Sequence, residues 1–325
     1  MREQLGNIKR YLRYWYLNFG LDVHNFNDFF PKGVKNHWPY QYVHGQNLLQ
    51  STGLSKPRIL FIGVYGKPLF TIKNINISPK VFYTAENIHE PDLWANQAPN
   101  CYIDNPKINL SLGFDFGDSE QYMRFPFWLR TFFPPNVTYE IVREKCERIN
   151  KMHTEATNVP NKFCSFIARY DYFGDRTKLC DEIEKISSLS YPSMFRHNDD
   201  DLQLMYKDNK VSYLKQFKFN LCPENYDTYG YVTEKIFDAI EAGCIPIYWG
   251  SENKPELKIL NHNAIIFLTP EGDNSTTLEQ IRLLNSNTDE FLRFYRQPIF
   301  LPEAPDIIWG YYERLNKRLR ELLNK

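Results

Sequence analysis

The 325-residue chain lacks several things that would narrow its class. It has no stretch of about 18 apolar residues and no signal-peptide pattern, so no transmembrane helix is expected. Its six cysteines, at 101, 146, 164, 180, 222 and 244, form no C-x-x-C pair. Neither a zinc site nor a disulfide framework is therefore expected, and a reducing cytoplasm suits them. No charge is in excess: 39 Lys plus Arg balance 39 Asp plus Glu. Nucleic acid is thus not an expected partner, and any grip on phosphate must come from local placement. No G-x-G-x-x-G follows any strand, which argues against a dinucleotide-dependent dehydrogenase. Internal repeats and low-complexity tracts are absent.

Aromatic residues are plentiful at 16%, enough for a large core and for surfaces on which sugars stack. The most informative stretch runs from Phe219 to Gly250. FKFNLC, at 217–222, is an apolar run suited to a buried strand. PENYDTYG supplies turn residues, Thr233 stands where a helix N-cap would, and EKIFDAIEA carries Ile236, Phe237 and Ile240 on one face. Gly243 stops the helix and IPIYWG returns as a strand. Strand, loop, helix and strand predict a parallel pair whose loop lies at the carboxyl end of the first strand, where open α/β sheets bind ligands. The helix N-terminus favours an anion. Lys235 in its first turn is a cation placed against the dipole, and a bound phosphate would offset that. Glu234 beside it is a candidate acceptor for sugar or ribose hydroxyls. The pattern suggests a site for a nucleotide diphosphate sugar.

This segment, with its E-N dipeptide, G-Y-V-T-E-K turn and A-G-x-x-P-I-Y-W-G ending, resembles the GDP-fucose-dependent α-1,3-fucosyltransferases of bacterial type (glycosyltransferase family 10). Further likeness lies in VFYTAEN at 81–87, LGFD at 112–115, YMRFPFW at 122–128 and, more weakly, KFCSFIARYDYFGDR at 162–176. Together the likeness runs from about residue 58 to 270. The resemblance implies an α/β, GT-B fold of two facing Rossmann-like domains with a cleft between them. It implies an inverting transfer of L-fucose to the 3-hydroxyl of N-acetylglucosamine or glucose, in a glycan such as N-acetyllactosamine or a glycolipid. The same fold with an α-1,4 linkage, another nucleotide sugar, or a non-catalytic glycan- or nucleotide-binding role are the alternatives.

Glu86 follows the strand VFYT. From the residues alone it is equally a cap, a surface acid or a base; the resemblance makes it the base that takes the acceptor proton. Ala85 stands where Gly is common in the family. Arg176 and Lys235 are the expected clamp on the departing diphosphate, although the loop ARYDYFGD before Arg176 departs from the usual Ser-Asn stretch. Glu224, Asn225 and Tyr231 are expected around the same donor pocket, with Pro223 replacing a common Phe. Arg124 and Trp128 are weaker candidates from the first half. His89 and His153 lack ligand-spaced partners and Asp171 and Asp175 form no D-x-D, so no metal site and no required cofactor are expected, with divalent-ion stimulation left open.

Strands and helices alternate in two groups. We divide the chain into an acceptor-binding domain at 1–150, a GDP-fucose-binding domain at 151–300, and a basic amphipathic helix at 301–325. Strands are expected in 58–66, 81–84, 108–114, 161–168 and 263–268, and helices in 139–156 and 176–187. Near the start, Leu5, Ile8, Leu12, Trp15 and Phe19 have helical spacing, with Lys9, Arg10 and Arg13 between them; YLRYWYLNF at 11–19 also alternates like a strand, and the resemblance favours the strand. At the end, Leu315, Leu319 and Leu322 share a face opposite Arg and Lys. That helix either docks on the body or makes peripheral contact with an anionic membrane. A cytoplasmic chain, free or at the inner membrane face, is expected. Acceptor choice is assigned to first-half loops such as 94–105.

Overall fold

The computed structural model describes residues 2–26, 33–49, 58–65, 68–89 and 105–324. The loop at 94–105 lies almost wholly outside them. The described chain forms two compact units, 1–138 with 309–325, and 139–308. Against the expected division at 150, the break falls at 138. The last helix is no separate body, because its later turns belong to the first unit.

The first unit holds a five-stranded parallel sheet in chain order: β1 (Val23–Phe26), β2 (Ile59–Gly63), β3 (Lys80–Tyr83), β4 (Leu110–Gly113) and β5 (Tyr122–Arg124). Its strands are buried throughout, as parallel strands covered on both faces must be. Leu60, Ile62 and Phe82 pack with Tyr14, Ile72 and Ile75 in its core. The helices are α1 (Arg2–Asn18), α2 (Trp38–Gly45), α3 (Pro68–Asn74) and α4 (Phe127–Phe132).

The strand expected at 11–19 is a helix. Tyr14 and Asn18, one turn apart, are both buried. The Asn18 side chain donates to the Tyr14 and Asn25 carbonyls and accepts from the Asn25 amide at 2.8 Å. Tyr14 Oη meets His24 Nδ1 at 2.5 Å. In a strand the two would share a face but stand about 13 Å apart, too far for this pairing. The true first strand is VHNF, whose polar His24 and Asn25 hide it from a hydrophobicity reading.

The second unit opens with α5 (Tyr139–Thr154) and holds a four-stranded parallel sheet, again in chain order: β6 (Lys162–Phe166), β7 (Phe217–Pro223), β8 (Ile245–Trp249) and β9 (Ile266–Phe267). Between β6 and β7 come α6 (Asp175–Glu184), α7 (Asp201–Leu204) and α8 (Lys210–Leu214). The helix α9 (Glu234–Ala242) joins β7 to β8, and α10 (Ser275–Ser286) and α11 (Thr288–Tyr295) follow β9. Phe219 and Leu221 of β7 and Ile245 and Ile247 of β8 pack with Leu179, Ile183, Ile281 and Phe291 from the helices. The pairing of β7 with β8 is parallel, with Pro223 opposite Trp249. The two strands thus end together, as the sequence predicts.

The helix α12 (Ala304–Leu323) closes the chain. Leu315 and Leu319 are fully buried, and Tyr312 Oη donates to the Leu129 carbonyl at 2.6 Å. The apolar face that would have met a membrane is therefore already covered by its own unit. Among the described residues no helix is long and apolar enough to cross a membrane.

Candidate active site

The carboxyl ends of β6, β7 and β8 gather most of the residues singled out from sequence. The helix α9 starts at Thr233, whose backbone is extended, and ends at Gly243 with φ of 82°, a left-handed cap whose amide turns back to Ala239 and Ile240. Ile236, Phe237 and Ile240 are buried, each contributing on the order of 1.5–3 kcal/mol. That burial fixes the helix, and with it the first-turn residues.

Thr233 holds the N-cap position, but its hydroxyl does not cap the helix. It donates instead to Glu224 Oε2 at 2.7 Å, while the Thr233 amide donates to Glu224 Oε1 at 2.7 Å. Glu224 has no solvent exposure. The Thr233 amide at this helix end is thus met by the protein's own carboxylate. Lys235 Nζ donates to Glu224 Oε2 at 2.9 Å and to Thr233 Oγ1 at 2.7 Å. Burial opposes the charge on Lys235, but the carboxylates of Glu224 and then Glu234 outweigh it and raise its pKa. Glu224 therefore stands behind Lys235 and aims it, rather than lining the pocket as expected.

Glycine makes this possible. Gly250 has φ of 132°, and a Cβ there would come within 2.8 Å of Glu224 Cβ and Cγ. The two strand ends are laced together: the Glu224 amide donates to the Trp249 carbonyl at 2.8 Å, and the Gly230 amide to Ser251 Oγ at 3.0 Å.

Arg176 reaches the same place from α6. Its guanidinium donates to the Tyr170 carbonyl at 2.7 Å and closely to Asn225 Oδ1, and its Nε is buried without a partner. It is near enough to Lys235 to oppose that charge. Asp171 staples the preceding loop, accepting from the Gly174 and Thr177 amides and the Thr177 hydroxyl at 2.7–3.1 Å. Between staple and helix, Tyr172 and Phe173 stand exposed and share a groove with Arg176, Asn225 and Trp249. Sequence reasoning missed these two rings; a run of aromatics in an otherwise polar loop was the available signal.

Glu234 is half-buried, with Lys210 Nζ at 3.8 Å. Burial raises its carboxyl, but Lys235 and Lys210 together hold it below its ordinary value. Lys210 also faces Asp238, and neither residue was foreseen. Tyr231 is 2% exposed, so its ring belongs to the wall of the unit.

Glu86 lies in the first unit, just past the carboxyl end of β3. The Thr84 hydroxyl bridges its backbone, accepting from the Glu86 amide at 2.9 Å and donating to the Glu86 carbonyl at 3.0 Å. Tyr65 Oη donates to Glu86 Oε1 at 2.7 Å. Below it, Arg130 donates to the Thr84 carbonyl at 2.8 Å and lies over the Tyr83 and Phe127 rings. Burial pushes the Arg130 pKa down to about 10, with Tyr83 acting against it. Trp128 is fully buried. Arg124 is also buried, donating to Tyr311 Oη at 3.3 Å. Both are structural rather than site-facing. No group of three or more His, Cys, Asp or Glu among the described residues is arranged to hold a metal ion.

Comparison with known proteins shows what this chain is similar to. Residues 156–297 match the model of the glycosyltransferase family 10 (fucosyltransferase) C-terminal domain. The α-(1,3)-fucosyltransferase FucT of Helicobacter pylori is 26% identical over an alignment 274 positions long that covers 73% of this chain and 51% of that protein. The chain thus spans about half the length of that curated relative. In fold it resembles a crystal structure of an α1,3-fucosyltransferase with GDP, at a TM-score of 0.56 and 20% identity over 91% of this chain and 90% of the other. A crystal structure of an α1,3-fucosyltransferase with GDP-fucose gives a TM-score of 0.51 and 22% identity over 81% and 78%. The two parallel sheets are the Rossmann-like halves of the GT-B fold. The second unit, where Lys235 and Arg176 come together, is the part that matches the family model, and the chain is similar there to the fucosyltransferases of glycosyltransferase family 10.

Proposed function

We propose that the chain is an inverting fucosyltransferase that moves L-fucose from GDP-fucose to the 3-hydroxyl of N-acetylglucosamine or glucose in an oligosaccharide or glycolipid. The observation that carries this reading is Lys235, held against buried Glu224 at the start of α9 with Arg176 nearby. As the sugar bond breaks, negative charge grows on the β-phosphate; two fixed cations and a helix N-terminus stabilise that charge without reorganising. Asn225 orients Arg176, Glu234 accepts from donor hydroxyls, and Tyr172 and Phe173 offer faces for a ring to stack on. Tyr231 supports the pocket from behind. Glu86 removes the acceptor proton as its oxygen attacks the anomeric carbon from the face opposite GDP, and the bond to fucose forms as the bond to the diphosphate breaks. With the diphosphate charge met by Lys and Arg, the reaction needs no metal or other cofactor, and chelation leaves it running.

The test is GDP release from GDP-fucose, with and without N-acetyllactosamine, followed by mass analysis of the glycan. Acceptor-dependent release with one added deoxyhexose supports the reading, and linkage analysis then separates α-1,3 from α-1,4. Failure of GDP-fucose to bind would overturn the donor assignment.

A further inference from the structure

The first helix buries the wrong side for an ordinary core helix. Its polar-edged face, through Tyr14 and Asn18, is the one docked on β1. Its apolar stripe points outward: Leu5 is 52% exposed, Ile8 56%, Leu12 63%, Tyr16 83% and Phe19, just past its end, 86%. Spacings of three and four residues keep this stripe on one face, and at 1.5 Å per residue it is about 21 Å long. Isolated apolar residues on a surface mean little, but a continuous stripe marks something to be covered.

We propose that α1 seats this protein on an anionic lipid surface, its outward apolar stripe entering the interface and the exposed Lys9 and Arg13 meeting the lipid phosphates. Three features favour lipid over a second protein copy. The cations lie beside the stripe along the same helix, the arrangement of helices that lie in a membrane interface. A two-fold contact between two copies would bring these like charges together. The stripe also includes Trp15 and Tyr16, whose rings combine an apolar body with a polar edge and suit the headgroup layer. The docking of α1 through Tyr14 and Asn18 leaves the stripe available without unfolding anything. This surface role falls to the first helix and not to α12, whose Leu315 and Leu319 are already buried. The inference does not depend on the donor or the acceptor.

Sedimentation of the full chain with phosphatidylcholine vesicles, with and without phosphatidylglycerol, tests it. The chain should sediment with the anionic vesicles, less so at high salt, and hardly with the neutral ones. The double substitution Ile8→Glu and Leu12→Glu should weaken that binding at least about tenfold, while Ile8→Leu with Leu12→Ile retains it. Both positions are exposed, so circular dichroism and melting temperature should not change. Absence of binding to anionic vesicles overturns the proposal, as does equal binding by the Glu variant. A dimer in light scattering that the Glu pair dissociates, with no vesicle binding by either form, would assign the stripe to a second copy instead.

Discussion

Lys235 Nζ sits 2.9 Å from Oε2 of Glu224, a carboxylate with no exposure to solvent. Removing one member of such a pair strands the other charge in a buried place. Lys235→Ala should therefore cost about 3–5 kcal/mol in urea unfolding and also abolish donor turnover. Lys235→Met combined with Glu224→Gln should recover much of that stability and none of the activity. Recovery of both together would show that the pair serves folding only.

Gly250 permits the buried carboxylate. Gly250→Ala places a methyl group 2.8 Å from the Glu224 side chain, at a φ of 132° that other residues rarely adopt. Stability should fall by about 1–3 kcal/mol and the Kd for GDP-fucose should rise, because Glu224 can no longer hold Lys235 in place. Calorimetric titration with GDP-fucose measures the second effect. An unchanged affinity would separate Gly250 from the clamp.

Glu86→Ala should lower transfer by roughly 10²–10⁴-fold while GDP-fucose binds as before, since Glu86 belongs to the first unit and the clamp to the second. Single-turnover transfer, alongside donor titration, reads the two separately. Full activity in this variant would remove Glu86 as the base.

Burial pushes the Asp238 carboxyl up to about 6, with Lys210 pulling the other way. A raised carboxyl favours its proton in the folded state, so its contribution to folding is present at low pH and is lost as pH rises from about 4 to about 6. Asp238→Asn should thus raise stability by about 1–2 kcal/mol near pH 7.5 and by little near pH 4.5. Melting temperatures at the two pH values check the sign.

The β7–α9–β8 unit was legible because its information is local. An apolar run, a turn-rich loop, one buried helical face and a stopping glycine each act over a few residues. Asn225 and Lys235 were expected near one another from where such a unit puts its loop, whereas Arg176, on α6, was expected from the family resemblance. The burial of Glu224 was not legible, because a carboxylate there reads as a pocket residue until Gly250, just past the end of β8, is known to lie against it. The helical N-terminus was misjudged because aromatics favour strands locally, whereas the i, i+4 pair Tyr14 and Asn18 is fixed by contacts with β1. That strand went unseen because His24 and Asn25 are polar in the sequence and satisfied only in the fold.

The staple at Asp171 separates two tasks that share one loop. Its hydrogen bonds run to the Gly174 and Thr177 amides and the Thr177 hydroxyl, while Tyr172 and Phe173 protrude between them. The anchoring of Arg176 therefore does not rest on which rings the loop carries. Relatives could exchange those rings, and change what the protein tolerates at that edge, while inheriting an unaltered setting of Arg176: a variable cassette mounted on a fixed frame.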